Sequence, residues 1–364
     1  MGSTDKDILY LPDFDDLPAV EGMPQGCAWG LFDKDGKKDV YGTLNLLTPE
    51  VIKEAGKEVR DGVSISLKYG PFPPTHICEY LSLTKPSWTL DGLSKLNIPG
   101  RKQPVHKVHT LRAAGLSPGD GWDDELEFNT QGSSQWDSLV HWTHQPTGRA
   151  YNGFIPTQED MAATSTAANA MPTIDHWHAR GGVVARGVLV DYKAYADEKG
   201  IDFDPFAGNR ITVEEIEEVA RHQGVEFRRG DVFFIRFGTT EAVDKTSPEE
   251  LLAKMGTMQL SGVHGSEDTA RWFWNKHFAA AVSDNNAFEA FPPLKPDGSV
   301  AGFTDLVLHP YFLSLFGMPI GELWDLSRLS AYCKKTGRYS FMLTSVPMNV
   351  PCLVGSPPNA LAIF

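Results

Sequence analysis

Cysteines, basic side chains and long apolar runs are all scarce in this chain, and each scarcity removes a class of function. Only four cysteines occur in 364 residues, Cys27, Cys78, Cys333 and Cys352. They lie too far apart for a CxxC redox motif or a dense disulfide framework, so they read as small buried hydrophobes in a reducing, cytoplasmic setting. Lysine and arginine together number 33 against 47 acidic residues, a net charge of −14. A surface of that sign repels phosphate backbones and anionic lipid, so neither nucleic acid nor membrane is an expected partner. No apolar run approaches the roughly 18 residues that span a bilayer, and a soluble chain is expected. The acidic start MGSTDKDILYLPDFDD lacks the basic and apolar regions of a secretory signal, and Lys6 stands where a myristoylation motif needs Ser or Thr. GxGxxG and GxxxxGK[ST] loops are missing too, so no organic cofactor is expected.

What is present is an alternation of helical and extended patterns. TPEVIKEAGKEVR (48–60) has a Thr cap, Pro at the first helical position and apolar residues at helical spacing, and VSISLKYG (63–70) follows with period-two alternation. QEDMAATSTAANAM (158–171) reads as helical and GGVVARGVLVDY (181–192) as a buried strand. TVEEIEEVARHQG (212–224) carries Thr212 and Glu215 at capping-box spacing and leads into the strand GDVFFIRFG (230–238). SPEELLAKMG, SEDTARWFWNKHF, AAAVSD, the helix-like LHPYFLSLFG, DLSRLSAYCKKTG and FMLTSVPM continue the alternation. The fold class is α/β, with strands too irregularly spaced for an eight-unit barrel. No repeat or linker divides it: residues 1–45 read as an N-terminal extension on a catalytic domain of residues 46–364.

The stretch QGSSQWDSLVHW (131–142) is the first candidate site. If residues 135–137 are extended, Gln135 and Asp137 project to one face, and a turn could return His141 to the same place. The plainer alternative has Asp137 capping a helix, Gln135 on the surface and His141 as a satisfied, half-buried histidine. His309 before LHPYFLSLFG and Glu322 after Gly317 could likewise face one cavity, or could be a helix cap and a solvated carboxylate. Ser138, three residues before His141, has no GxSxG elbow and reads as a structural hydroxyl. His264 and His277 read as structural, and HWH (176–178), whose spacing could chelate on a strand, reads as a surface feature.

The same stretch resembles the signature HxGTHxDxPxHF of the cyclase family, which includes kynurenine formamidases and isatin hydrolases. Gln131, Ser133, Ser134, Gln135, Asp137, Leu139, His141 and Trp142 occupy the aligned positions. CAWGLFDKDGKKDVYGTLNLLTPEVI (27–52), YNG (151–153), RGVLVDY (186–192), GDVFFIRFG, WFWNKHFAAAVSDNNAFEAFP (272–292) and LHPYFLSLFGMPIGELWDL extend the resemblance over nearly the whole chain from about residue 25. It is similar to the fungal branch of the family, with its GTQWD form of the motif. The resemblance implies a mixed central sheet flanked by helices, and subunits associated as homodimers or homotetramers.

It also implies a site. Family members that keep both signature histidines bind zinc or manganese, which polarises a carbonyl and activates water. Here both positions are glutamine, Gln131 and Gln135, so the implied metal set is Gln135, Asp137, Glu322 and His309. An oxygen-rich set of that kind suits manganese, magnesium or calcium better than zinc; the alternative is a metal-free pocket in which His141 and His309 act as general base and acid with Asp137 orienting one of them. His141 and His309 would handle protons with Asp137, and Gln131, Ser134, Trp136, Trp142, Tyr151 and Phe288 would contact the substrate. The implied function is hydrolysis of a C–N bond (amide, formamide or cyclic imide) or of a lactone or ester in a small aromatic metabolite. The alternatives are a non-hydrolytic cyclase, dehydratase or isomerase of secondary metabolism run by His141 and His309, and a catalytically silent binding protein.

Overall fold

The computed structural model describes residues 11–67, 101–102 and 104–364. Cys78 and the end of VSISLKYG lie outside the described residues.

Thirteen strands occur among the described residues. In chain order they are β1 (Ser64–Ser66), β2 (Val105–Thr110), β3 (Trp122–Glu127), β4 (Gln135–Asp137), β5 (Val183–Val190), β6 (Arg210–Ile211), β7 (Val232–Ile235), β8 (Gly262–Val263), β9 (Ala280–Ser283), β10 (Ile320–Glu322), β11 (Ser340–Ser345), β12 (Gly355–Ser356) and β13 (Ala360–Ile363). Nine of them form one sheet in the order β1-β13-β11-β5-β7-β9-β10-β4-β12. Its centre, β5-β7-β9-β10, is parallel, and both wings are antiparallel. The expected mixed sheet is therefore present.

Side-chain alternation along the central strands divides the core. Phe233 and Ile235 of β7 pack on one face with Val190, Ala281, Ile320, Phe273, Phe288 and Phe312. Val232 and Phe234 pack on the other with Leu189, Ala280, Val282, Trp136 and Trp324. Strands buried on both faces read as nearly continuous apolar runs, which is why VLV and VFFI stand out in the sequence. At the strand pair β5–β11, Gly187 faces Phe341, and a Cβ at residue 187 would fall 2.3 Å from its ring.

Most expected helices form where their caps place them. Thr48 accepts from the Val51 amide at the start of Pro49–Ala55. Thr212 and Glu215 make a reciprocal capping box on Val213–His222, and Ser247 and Glu250 make another on Pro248–Gly256. Residues 158–171 depart from expectation, forming only a 3₁₀ turn, Asp160–Ala162. The side chains there bond locally instead: Ser165 Oγ accepts from the Ala168 amide, and Asn169 donates to Asp175 and Thr173. Such polar side chains compete with the helical ladder. HWH (176–178) lies on the helix Ile174–Ala179 and not on a strand, so His176 is buried while His178 is exposed. LHPYFLSLFG forms a wide π-helical segment, Pro310–Phe316.

Residues 11–47 contribute Leu11, Phe14, Leu17, Cys27, Ala28, Phe32 and Leu46 to the first core face, and Leu44 and Leu47 to the second. Their closest anchor is a pair of glycines in the left-handed region, Gly42 (φ +58) and Gly317 (φ +69). A Cβ on Gly42 would fall 1.9 Å from the Gly317 carbonyl oxygen. That contact lets Thr43 donate its amide to Gly317 at 2.9 Å and fixes the turn after the π-helical segment. Cys27, Cys333 and Cys352 are buried free thiols, and burial pushes Cys27 up to about 12.

Candidate active site

Strand β4 is three residues long, yet it sets the site. It pairs antiparallel with β10 in the register Gln135↔Glu322, Trp136↔Gly321 and Asp137↔Ile320. Residues two apart share a face, so Gln135, Asp137 and Glu322 project together into the first core face, and all three are buried. Gln135 Nε2 donates to Glu322 Oε2 at 2.8 Å.

The same alternation turns Trp136 the other way. Its ring packs edge-on against Trp324 and Trp177, and its Nε1 donates to Ser345 Oγ at 2.9 Å. A substrate beside Asp137 is thus on the opposite side of the sheet, and the expected substrate contact of Trp136 is corrected to a core contact. Three further expected contacts are similarly committed to the scaffold. Ser134 Oγ donates to the Leu323 carbonyl at 2.6 Å. Tyr151 is fully buried with its hydroxyl on Asp39. Phe288 is fully buried among Phe233, Phe273 and Phe312.

After β4 a turn closes with the His141 amide donating to the Ser138 carbonyl at 3.0 Å. It returns His141 toward Asp137, and Gln131 joins them: its Nε2 lies 2.9 Å from Asp137 Oδ1 and 2.7 Å from His141 Nδ1. An amide nitrogen facing a carboxylate oxygen and a ring nitrogen donates to both. His141 Nδ1 is therefore an acceptor, and the neutral ring carries its proton on Nε2. Burial holds His141 down near 4, against the pull of Glu322. Its side chain keeps 20% of its exposure, whereas Asp137 has none; Gln131 is half-buried as well. Burial pushes the Asp137 carboxyl up to about 6, the charge of His309 and the Gln131 hydrogen bond opposing.

His309 stands at the start of the π-helical segment between two carboxylates. Its Nδ1 is 2.9 Å from Glu289 Oε1 and its Nε2 is 3.3 Å from Glu322 Oε1. Burial disfavours charge on the ring, but the hydrogen bonds that it donates to Glu289 and Glu322 outweigh it and hold His309 up near 10. Glu322 is itself raised, by burial and by the nearby Asp137. Glu289 also accepts the backbone amides of Val307 and His309 at 2.9 and 2.8 Å, so one fully buried side chain fixes both the entry of the segment and its first ring. Sequence reasoning passed over Glu289. The signal that could have found it is a glutamate in the otherwise apolar FEAFP, within the block matched to the family. Arg101 is a second omission; it donates to the Gln131 carbonyl. The Trp142 ring stands edge-on to His309 at 6.0 Å.

The residues expected to ligate a metal do not fit one as they are arranged. An imidazolium between two carboxylates has no lone pair to give, so His309 is corrected from ligand to cation. Among the described residues no three His, Cys, Asp or Glu side chains converge as a metal set. Two buried acceptors remain without a partner, Gln135 Oε1 and Asp137 Oδ2, together with the Trp142 Nε1 and Ser138 Oγ atoms. A buried polar atom left unpaired costs free energy, and such atoms mark where a ligand or water belongs.

No curated protein matches the chain. Among solved structures it is similar to a novel cyclase at 27% identity, with a TM-score of 0.70 over 93% of this chain and 99% of that one. It is also similar in fold to isatin hydrolase A from Ralstonia solanacearum, at 13% identity and a TM-score of 0.50, over 87% of this chain and 98% of that one. The Cyclase family model, "Putative cyclase", matches residues 63–290, which hold Gln131, Gln135, Asp137, His141 and Glu289. The chain belongs to the Cyclase family.

Proposed function

We propose that the chain is a hydrolase that opens a C–N or ester bond next to a carbonyl in a small, planar metabolite. The observation that carries this reading is Asp137: a fully buried carboxylate with one oxygen bonded to Gln131 and the other, Oδ2, without a partner. A carboxyl held near 6 is a stronger base than an ordinary aspartate and is still ionised at neutral pH. In this reading a water adds to the substrate carbonyl carbon and gives its proton to Asp137 Oδ2. His141 Nε2–H, 3.9 Å from Asp137 Oδ1, donates to the departing nitrogen or oxygen as the bond to carbon breaks. His309 keeps both protons and acts as a fixed positive charge behind Glu322 and Asp137. Gln135 Oε1 and Asp137 Oδ2 are acceptors, which favours substrates that bring N–H or O–H donors, as amides, formamides and imides do. The fold likeness to an isatin hydrolase is consistent with such a ring-opening substrate.

The test uses a panel of formamides, cyclic imides and lactones in ¹⁸O-labelled water. Turnover with label in the product, abolished in Asp137→Asn and His141→Ala while circular dichroism is unchanged, is the expected result. Unlabelled product would instead support cyclisation, dehydration or isomerisation, which the same neutral donor and buried base could run without water. Full activity in both variants would end the assignment.

A further inference from the structure

The family resemblance points to a metal, and the side chains of this site point elsewhere. We propose that this site takes no divalent ion, because hydrogen bonds within the chain itself engage the carboxylates and the ring nitrogens that would have to ligate it. The inference rests on the site assigned above, though not on its activity.

Asp137, His141, Glu322 and His309 are each engaged by a hydrogen bond within the chain. Asp137 Oδ1 and His141 Nδ1 share one nitrogen, Gln131 Nε2, at 2.9 and 2.7 Å. That amide sits between a carboxylate and an imidazole, as an ion bridging them would. Its two N–H bonds direct positive charge at both groups, and they would repel an incoming cation. Glu322 receives Gln135 Nε2 at 2.8 Å on one oxygen and faces His309 Nε2 at 3.3 Å with the other. The second nitrogen of His309 is committed to Glu289 at 2.9 Å. The open atoms do not supply a replacement set. Gln135 Oε1, Asp137 Oδ2 and the Ser138 hydroxyl are three oxygens, where hard cations take about six to eight and zinc takes thiolates and imidazoles in preference. The remaining open group beside His309, Trp142 Nε1, is a donor and ligates nothing.

The experiment reads metal directly. Full-length protein, stripped with chelator and desalted, is titrated calorimetrically with zinc chloride and with manganese chloride. Its metal content is measured after gel filtration, and its melting temperature is recorded with and without each ion. The wild type is expected to take up no stoichiometric ion and to show no shift. The double variant Gln131→His with Gln135→His removes the blocking amides and offers two imidazoles next to Asp137; it is expected to gain about one zinc per chain and a raised melting temperature, as binding to the folded state requires. One ion per wild-type chain, lost in Asp137→Asn, would overturn the proposal. The wild-type titration decides even if the double variant fails to fold. Because no turnover is measured, a wrong metal inference and a wrong reaction are told apart: the first appears here, the second only in the labelled-water assay.

Discussion

If Asp137 is a base kept poised by burial, removing its charge should make the protein more stable while it destroys activity. The wild-type carboxyl has an ordinary value of 3.8 and is pushed to about 6 in the fold. A group raised in this way binds its proton more tightly when folded. Below 3.8 it is protonated in both states and costs nothing; as pH rises through about 6 the folded state must bury a charge, and the cost is complete above that. The gap corresponds to about 3 kcal/mol at neutral pH. Asn keeps an oxygen for Gln131 and carries no charge, so Asp137→Asn should recover about 1 to 3 kcal/mol. With unfolding entropy of about 2.1 cal/mol/K per residue over 364 residues, the rise in melting temperature is about 1 to 4 °C. Calorimetry at pH 7, with urea unfolding from pH 4 to 8, measures it. The two proteins should converge near pH 4, separate between pH 4 and 6, and keep a constant difference above 6. A variant less stable than wild type at pH 7, or a difference that ignores pH, would show that Asp137 is a structural ion partner and not a poised base.

Other expectations follow from the same contacts. Glu289→Gln removes one of the two carboxylates that hold the His309 charge, and breaking such a buried pair should cost about 3 kcal/mol in urea unfolding at pH 7. His309 has the opposite sign to Asp137: its folded value near 10 lies above the ordinary 6.5, so its stabilisation is full below 6.5 and is lost as pH rises through 10. Wild-type stability should therefore fall between pH 7 and 10, and the Glu289→Gln profile over that range should be flatter. Gly317→Ala places a Cβ 2.5 Å from the Tyr151 ring at φ +69, and should destabilise by about 3 kcal/mol, read as a lowered melting temperature with secondary structure intact.

The sequence alone determined the local features. Capping residues at Thr48 and Thr212 and apolar runs such as VFFI fixed element types, because caps and periodicity act within a few residues. The alternation in QWD likewise fixed that Gln135 and Asp137 share a face. That pattern already placed Trp136 on the opposite face, but only the paired strand showed that face to be core, filled by Trp324 and Trp177. Tertiary structure alone could decide which donor meets which acceptor. Glu289 and His309 are twenty residues apart, and Gln135 and Glu322 are 187 apart. Their meeting depends on the β4–β10 register and on the turn held by Gly42 against Gly317. The same is true of charge. A histidine read from sequence is a ligand, a base or a cation with equal ease, and what makes His309 a cation and His141 a neutral donor is the set of partners that the folded chain brings around each ring.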